Sequence, residues 1–240
     1  MIRLENLTKR FGDTVAVDHL SLDITAGELF VFVGPNGAGK TTTIKMIAGL
    51  LRPTEGRVIL CGHDVQKDYI EARSLLSYVP DQPFLYDKLT GREFLRFVGA
   101  MYGMDRSATD RKIAGLSDLF ETDGFLDELA QTYSHGMKQR VVVSAAMLHE
   151  PRVLVVDEPM VGLDPKGART LKAVLGDLTG DGVTVFMSTH TLAVAEEIAD
   201  RVGIIREGSI IALGNLEQIY ATARTDRRLE DAFLRLTEET

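Results

Sequence analysis

Leu29-Phe30-Val31-Phe32-Val33-Gly34-Pro35-Asn36-Gly37-Ala38-Gly39-Lys40-Thr41-Thr42 is the stretch that decides the fold. Its first five residues form an unbroken apolar run, which predicts a strand buried on both faces of a sheet. Gly34 to Thr41 then fit G-x-x-x-x-G-K-[ST], and the following residues predict a helix from about Thr41 to Leu51, ended by the breakers Arg52-Pro53-Thr54-Glu55-Gly56. Glycines at these positions let a loop curl until several backbone N–H groups converge on phosphate oxygens, and the helix N-terminus adds its positive dipole end. The expected nucleotide cradle is Gly34, Pro35, Asn36, Gly37, Ala38, Gly39, Lys40, Thr41 and Thr42. In it Lys40 reaches the β- and γ-phosphates of ATP, and the Thr41 hydroxyl ligates Mg²⁺.

The remaining chain fits around that loop. Val153-Leu154-Val155-Val156 is a second buried strand, and it delivers Asp157 and Glu158 at its carboxyl end, where open α/β sheets bind ligands. Asp157 is expected behind Mg²⁺ through water, and Glu158 as the base that polarises an attacking water. Val183 to Met187 reads as a third buried strand. Alternation at Leu20, Leu22 and Ile24, with Ile2 to Leu7 before it, predicts an antiparallel start. From about 83 to 148 the pattern turns helical, with Thr90 and Glu93 forming a capping box. Asp164-Pro165 opens a later helix, and Arg201 to Leu213 reads as a hairpin turning at Arg206-Glu207-Gly208. The expected fold is a single α/β domain over 1–240. It has a P-loop NTPase core built on a parallel sheet, an N-terminal antiparallel β-subdomain, an inserted helical subdomain over about 83–148 and a C-terminal helical extension over about 215–240.

Composition narrows the function classes. A formal charge of −8 argues against nucleic acid as the main partner, since phosphate neutralisation needs clustered Lys and Arg. The single cysteine, Cys61, allows no internal disulfide and no cysteine-based metal framework, and after Arg57-Val58-Ile59-Leu60 it reads as a small core residue of a strand. No apolar run approaches the roughly 20 residues that span a bilayer. The expectation is a cytoplasmic chain that meets the membrane through a partner.

Tyr133-Ser134-His135-Gly136-Met137-Lys138-Gln139-Arg140 places Ser134 23 positions before Asp157. At this point the chain resembles an ABC-transporter ATPase along nearly all of its length. That family carries its Leu-Ser-Gly-Gly-Gln signature here; Tyr133, His135 and Met137 depart from it, while Ser134 and Gly136 match. The resemblance implies that Ser134 and Gly136 meet the γ-phosphate of ATP bound to another subunit. Gly162-Leu163-Asp164-Pro165 is similar to the D-loop, which adds Asp164 to the nucleotide-contacting set. Ser188-Thr189-His190 resembles the switch segment, with His190 as a hydrogen-bonding group near the γ-phosphate, 32 positions beyond Glu158. Lys9-Arg10-Phe11-Gly12 resembles the segment whose aromatic stacks on adenine, with Val17 flanking the base; packing of Phe11 within the β-lobe is the competing reading.

In Tyr78-Val79-Pro80-Asp81-Gln82-Pro83 the family's glutamine follows proline directly, whereas here Asp81 does, so either Asp81 or Gln82 serves the metal. The continuation through Phe84, Leu85 and Tyr86 is the implied surface for an integral membrane permease. Tyr-Ser-His-Gly-Met and the stretch from Leu229 to Thr237 resemble ATPases of exporters whose permease is a separate protein. The resemblance therefore implies an ATP-hydrolysing subunit, paired head-to-tail with a second copy and peripheral on the cytoplasmic face of a membrane. An importer ATPase is the nearest alternative. Translation-associated relatives carry two cassettes per chain, and chromosome-maintenance ATPases insert a long coiled coil where only 52 positions separate Gln82 from Ser134. A small GTPase would need an Asn-Lys-x-Asp element that this sequence lacks.

Overall fold

The computed structural model describes residues 1–225 and 228–238. In chain order the strands β1 (Ile2–Phe11), β2 (Thr14–Ile24) and β3 (Leu29–Val33) lead to helix α1 (Lys40–Ile47), followed by β4 (Glu55–Leu60), β5 (His63–Asp64), α2 (Tyr69–Ser74) and β6 (Leu76–Val79). A helical stretch comprises α3 (Gly91–Met101), α4 (Arg106–Phe120), a single 3-10 turn at Ala130–Thr132 and α5 (His135–Met147). The core resumes with β7 (Val153–Asp157), α6 (Pro165–Gly180), β8 (Thr184–Thr189), α7 (Leu192–Ile198), β9 (Arg201–Arg206), β10 (Ser209–Gly214), α8 (Leu216–Thr222) and α9 (Leu229–Glu238). Of the extension expected over 215–240, residues 226, 227, 239 and 240 lie outside the described residues.

The larger sheet has the order β10-β9-β3-β8-β7-β6, parallel throughout except for β10. The smaller, antiparallel sheet runs β2-β1-β4-β5. Strand period explains how the apolar runs are used. Leu29, Val31 and Val33 face one core, shared with Leu154, Val156, Val185 and Met187 and with the helices α3 to α6. Phe30 and Phe32 face the other, where they meet Phe186, α1 and the small sheet, with ring centroids 5.4–6.1 Å apart. A strand buried on both faces has no polar side, which is why these segments read as continuous apolar runs.

Three local expectations need correction. Helix α1 ends at Ile47, because Gly49 takes a left-handed φ of 67° and turns the chain before Leu51. Cys61 lies just past β4 with a φ of 51° and is half-buried, so it belongs to the turn and not to the strand core. Leu85 is buried in the core beneath the helical stretch, whereas Phe84 and Tyr86 are exposed. The capping box at α3 is formed: Glu93 N–H donates to Thr90 Oγ1 at 3.1 Å and Thr90 N–H to Glu93 Oε2 at 2.9 Å. No described helix is long and apolar enough to cross a membrane.

Candidate nucleotide and metal site

Strands β3, β8 and β7 are neighbours, and their carboxyl ends deliver the loop after Val33, the segment Ser188-Thr189-His190, and Asp157-Glu158 to one place. Between them opens a cleft of about 480 Å³, lined by Asn36, Gly37, Gly39, Lys40, Thr41, Thr42, Asp157, Glu158 and His190. Ala16, Asp81, Gln82, His135 and Val161 complete its wall. The loop's shape demands glycine at two positions in particular. Gly39 has a φ of 108°, and a Cβ there would stand 2.5 Å from the Ala16 carbonyl oxygen. A Cβ on Gly34 would collide with the Ile205 carbonyl oxygen of β9.

Lys40 is buried, and its ammonium donates to the carbonyl oxygens of Gly34 (2.6 Å) and Pro35 (3.1 Å) in its own loop. Burial lowers its pKa, opposed by the negative charges of Glu158 and Asp157. The charge is thus held among dipoles weaker than a phosphate.

The two adjacent carboxylates have different surroundings. Asp157 is 1% exposed; the Ser188 hydroxyl donates to its Oδ1, while Oδ2 is buried without a hydrogen-bond partner among the described residues. Burial pushes its pKa up, opposed by the hydroxyls of Ser188 and Thr41. Glu158 leaves the strand at a φ of 49°, a region that non-glycine residues adopt at a cost and that turns its side chain into the cleft. Its N–H donates to the Ser188 carbonyl at 3.1 Å. Its carboxylate is held by His190 Nδ1 at 2.9 Å and by the Thr189 hydroxyl at 3.2 Å.

An orphaned oxygen on Asp157, beside a threonine hydroxyl, fits a hard cation that prefers oxygen ligands, as Mg²⁺ does. Among the described residues no three His, Cys, Asp or Glu side chains are placed to hold a metal by themselves. Asp81 and Gln82 both line the cleft, so both keep an oxygen within the same space.

Other expected residues lie apart from the cleft. Val17 is fully buried in the core of the small sheet and cannot present its side chain to a base; Ala16 lines the cleft instead. The reason is register: shifts in the β1–β2 pairing between Leu7 and Arg10 decide which face each β2 residue takes. Phe11, at the end of β1, is 50% exposed with the Lys9 ammonium 5.0 Å from its ring centroid, which removes core packing as its role. Asp164 is outside the lining, because its carboxylate caps α6 through Gly167 N–H (3.0 Å) and pairs with Arg140 (2.9 Å). Those bonds, led by the one from Gly167, hold its pKa below the usual range.

Ser134 and Gly136 are likewise outside the lining. Ser134 is the exposed N-cap of α5, accepting from Met137 N–H at 3.3 Å. The His135 ring packs against Gly162, and a Cβ on Gly136 would stand 2.7 Å from the Gly162 carbonyl oxygen. Sequence reading missed Gln139, which is buried and donates to the Pro159 carbonyl at 3.2 Å, bracing the turn after Glu158. It also passed over Ser188, the partner of Asp157, although that serine opens the quoted switch segment.

The sequence pattern of the ABC transporter family matches residues 17–161. The probable multidrug ABC transporter ATP-binding protein YbhF of Escherichia coli is 35% identical over 243 residues, covering 100% of this chain. The chain spans 42% of that relative's length. A solved structure of an ATP-binding subunit of an ABC transporter superposes with a TM-score of 0.93 at 30% identity, covering 99% of both chains. A dimeric post-hydrolysis state of the ATP-binding cassette MJ0796, bound to ADP and Pi, superposes with a TM-score of 0.83 at 26% identity, covering 90% of this chain and 99% of that one.

Proposed function

The chain belongs to the ABC transporter family, and from that premise we propose that it binds and hydrolyses ATP as the nucleotide-binding subunit of a transporter, working as a head-to-tail pair. The observation that carries this reading is the convergence, at adjacent strand ends, of a phosphate loop, a buried carboxylate with an oxygen unpartnered among the described residues, and a second carboxylate clasped by His190. The β- and γ-phosphates displace the Gly34 and Pro35 carbonyls as partners of Lys40, and loop N–H groups bind the remaining oxygens. Thr41 and Asp157, with Asp81 or Gln82, would hold Mg²⁺. When bound, that ion neutralises charge on the phosphates. Glu158 takes a proton from water as the water oxygen bonds to the γ-phosphorus, and the bond to the β-phosphate oxygen breaks to release ADP. His190 and Thr189 fix the carboxylate's direction, so no reorganisation is needed at that moment.

Ser134 and Gly136 are outside the lining of the chain's own cleft, and the exposure of Ser134 at a helix start, with Gly136 half-buried beside it, suits a phosphate brought by a second copy. Phe84, Tyr86 and Phe97 form an exposed aromatic cluster with centroids 5.5–5.8 Å apart, which suits a short apolar helix of a membrane permease. The export direction rests on the resemblance of Tyr133 to Met137 and of the C-terminal stretch to exporter ATPases.

Glu158→Gln keeps the shape of the site and removes the base. It is expected to retain ATP, to accumulate a closed dimer and to lose roughly 10²- to 10⁴-fold in turnover. Turnover near the wild-type rate would remove Glu158 from this role.

A further inference from the structure

Between the aromatic cluster and Ser134 the chain is fastened to itself. Ala130 N–H donates to the Leu89 carbonyl at 2.9 Å, Gln131 N–H to Asp87 at 3.3 Å, and Arg92 N–H to Leu126 at 3.0 Å. Thr90 and Leu129 form an isolated antiparallel bridge. At the end of this seam lies Tyr133, 7% exposed, with its ring edge-on to Phe125 at 5.1 Å. Its hydroxyl accepts from Gly91 N–H, the first amide of α3, at 3.0 Å. The same hydroxyl shares its proton between the carbonyls of Phe125 (2.9 Å) and Glu128 (3.1 Å).

A helix leaves its first N–H groups without partners inside the helix, so the Tyr133 hydroxyl serves as a second cap for α3 beside Thr90. Gly91 is shaped to receive it: a Cβ there would stand 2.7 Å from that oxygen. A leucine in place of Tyr133 would take the hydroxyl away from the buried Gly91 N–H, while the Phe125 carbonyl keeps the Glu128 N–H at 2.9 Å.

We propose that the Tyr133 hydroxyl is a positioning group for the reaction, fixing Ser134 relative to the start of α3. The backbone that carries Ser134 is then set by the segment that presents Phe84 and Tyr86. A permease helix pressing on that aromatic cluster displaces the phosphate-facing end of α5 along with α3. This rests on the reading of Ser134 as a phosphate contact.

Tyr133→Phe removes one oxygen and keeps the ring. In the full chain it is expected to lower kcat about 3- to 10-fold, the worth of one hydrogen bond, with KM and ATP affinity unchanged. Amide exchange at Met137 and Lys138 should quicken by a similar factor, while exchange in α1 stays as it was. Gly91→Ala should reproduce the pattern, and the double variant should be no worse than either single one. A tyrosine that merely stabilises the fold would quicken exchange across the whole helical stretch, as Ile113→Val serves to show, and would leave kcat in place. Unchanged exchange at Met137 and Lys138 overturns the proposal, and so does altered exchange with unaltered kcat. Should Glu158→Gln fail to trap a dimer, the pairing of chains is refuted, and the exchange measurement still decides the role of Tyr133.

Discussion

The two ends of the candidate site are built differently. The phosphate end buries Lys40 and Asp157, holds Glu158 in left-handed backbone that a non-glycine residue adopts at a cost, and leaves an oxygen of Asp157 without a partner among the described residues. Its polar groups are arranged for a guest, and some hold each other only provisionally, as Lys40 holds its own loop's carbonyls. The signature end is exposed and internally satisfied, a capped helix start resting on Gly162. One end carries the cost of a site prepared in a single chain. The other carries almost none and, on the proposed function, would become a site only against a second surface. Desolvated groups without partners are tolerated where a ligand repays them.

The sharpest way to break this contrast is to damage each end separately. Lys40→Ala removes the one ammonium of the phosphate end, and nucleotide affinity of the isolated chain is expected to fall about 10- to 100-fold, the range for a charge-assisted contact. Ser134→Ala combined with Gly136→Asp should leave that affinity within about twofold and abolish ATP-driven pairing. Titration calorimetry on both proteins measures the difference. Mixing them should restore one composite site per pair, and equal loss of affinity in both would erase the distinction between the ends.

A smaller effect tests whether the phosphate end is costly to the fold. Asp157 has a raised pKa, so its titration favours the folded state below the unfolded value, and that contribution is lost as pH rises through the folded one. At neutral pH the ionised form is therefore a liability. Asp157→Asn keeps an acceptor for Ser188 and is expected to raise the nucleotide-free Tm at pH 7 by about 2–4 °C, what about 1 kcal/mol amounts to at this size. The gain should shrink toward pH ~4, near the ordinary aspartate range, and Mg²⁺-dependent turnover should be lost. Differential scanning at both pH values would decide it, and a lower Tm at pH 7 would mean that the carboxylate supports the fold.

The least effect is expected at the boundary between the ends, where Asp81 and Gln82 share the cleft wall. One of Asp81→Ala and Gln82→Ala should raise the Mg²⁺ concentration needed for half-maximal turnover, and the other should leave it nearly unaltered. Two silent substitutions would place the metal contact elsewhere.

What the sequence determined alone was everything set by neighbours along the chain. The apolar run before Gly34 predicts β3, the glycine pattern predicts the loop, and Thr90 with Glu93 and Asp164 with Pro165 mark two helix starts. Each depends on contacts within a few residues, so each is written locally. The cap at Asp164 shows the limit, since the local bond that starts α6, together with the tertiary pairing to Arg140, occupies the carboxylate expected at a nucleotide. Only the tertiary structure decided that Val17 faces the core while Ala16 faces the cleft, because bulges between β1 and β2 shift the alternation. It alone buried Leu85 while leaving Phe84 and Tyr86 outside, and it alone brought the Tyr133 hydroxyl to an amide 42 positions away. These outcomes turn on which surfaces meet after the strands pair and the helices pack. A side chain's direction then follows from register and crossing geometry, which no short window of sequence contains.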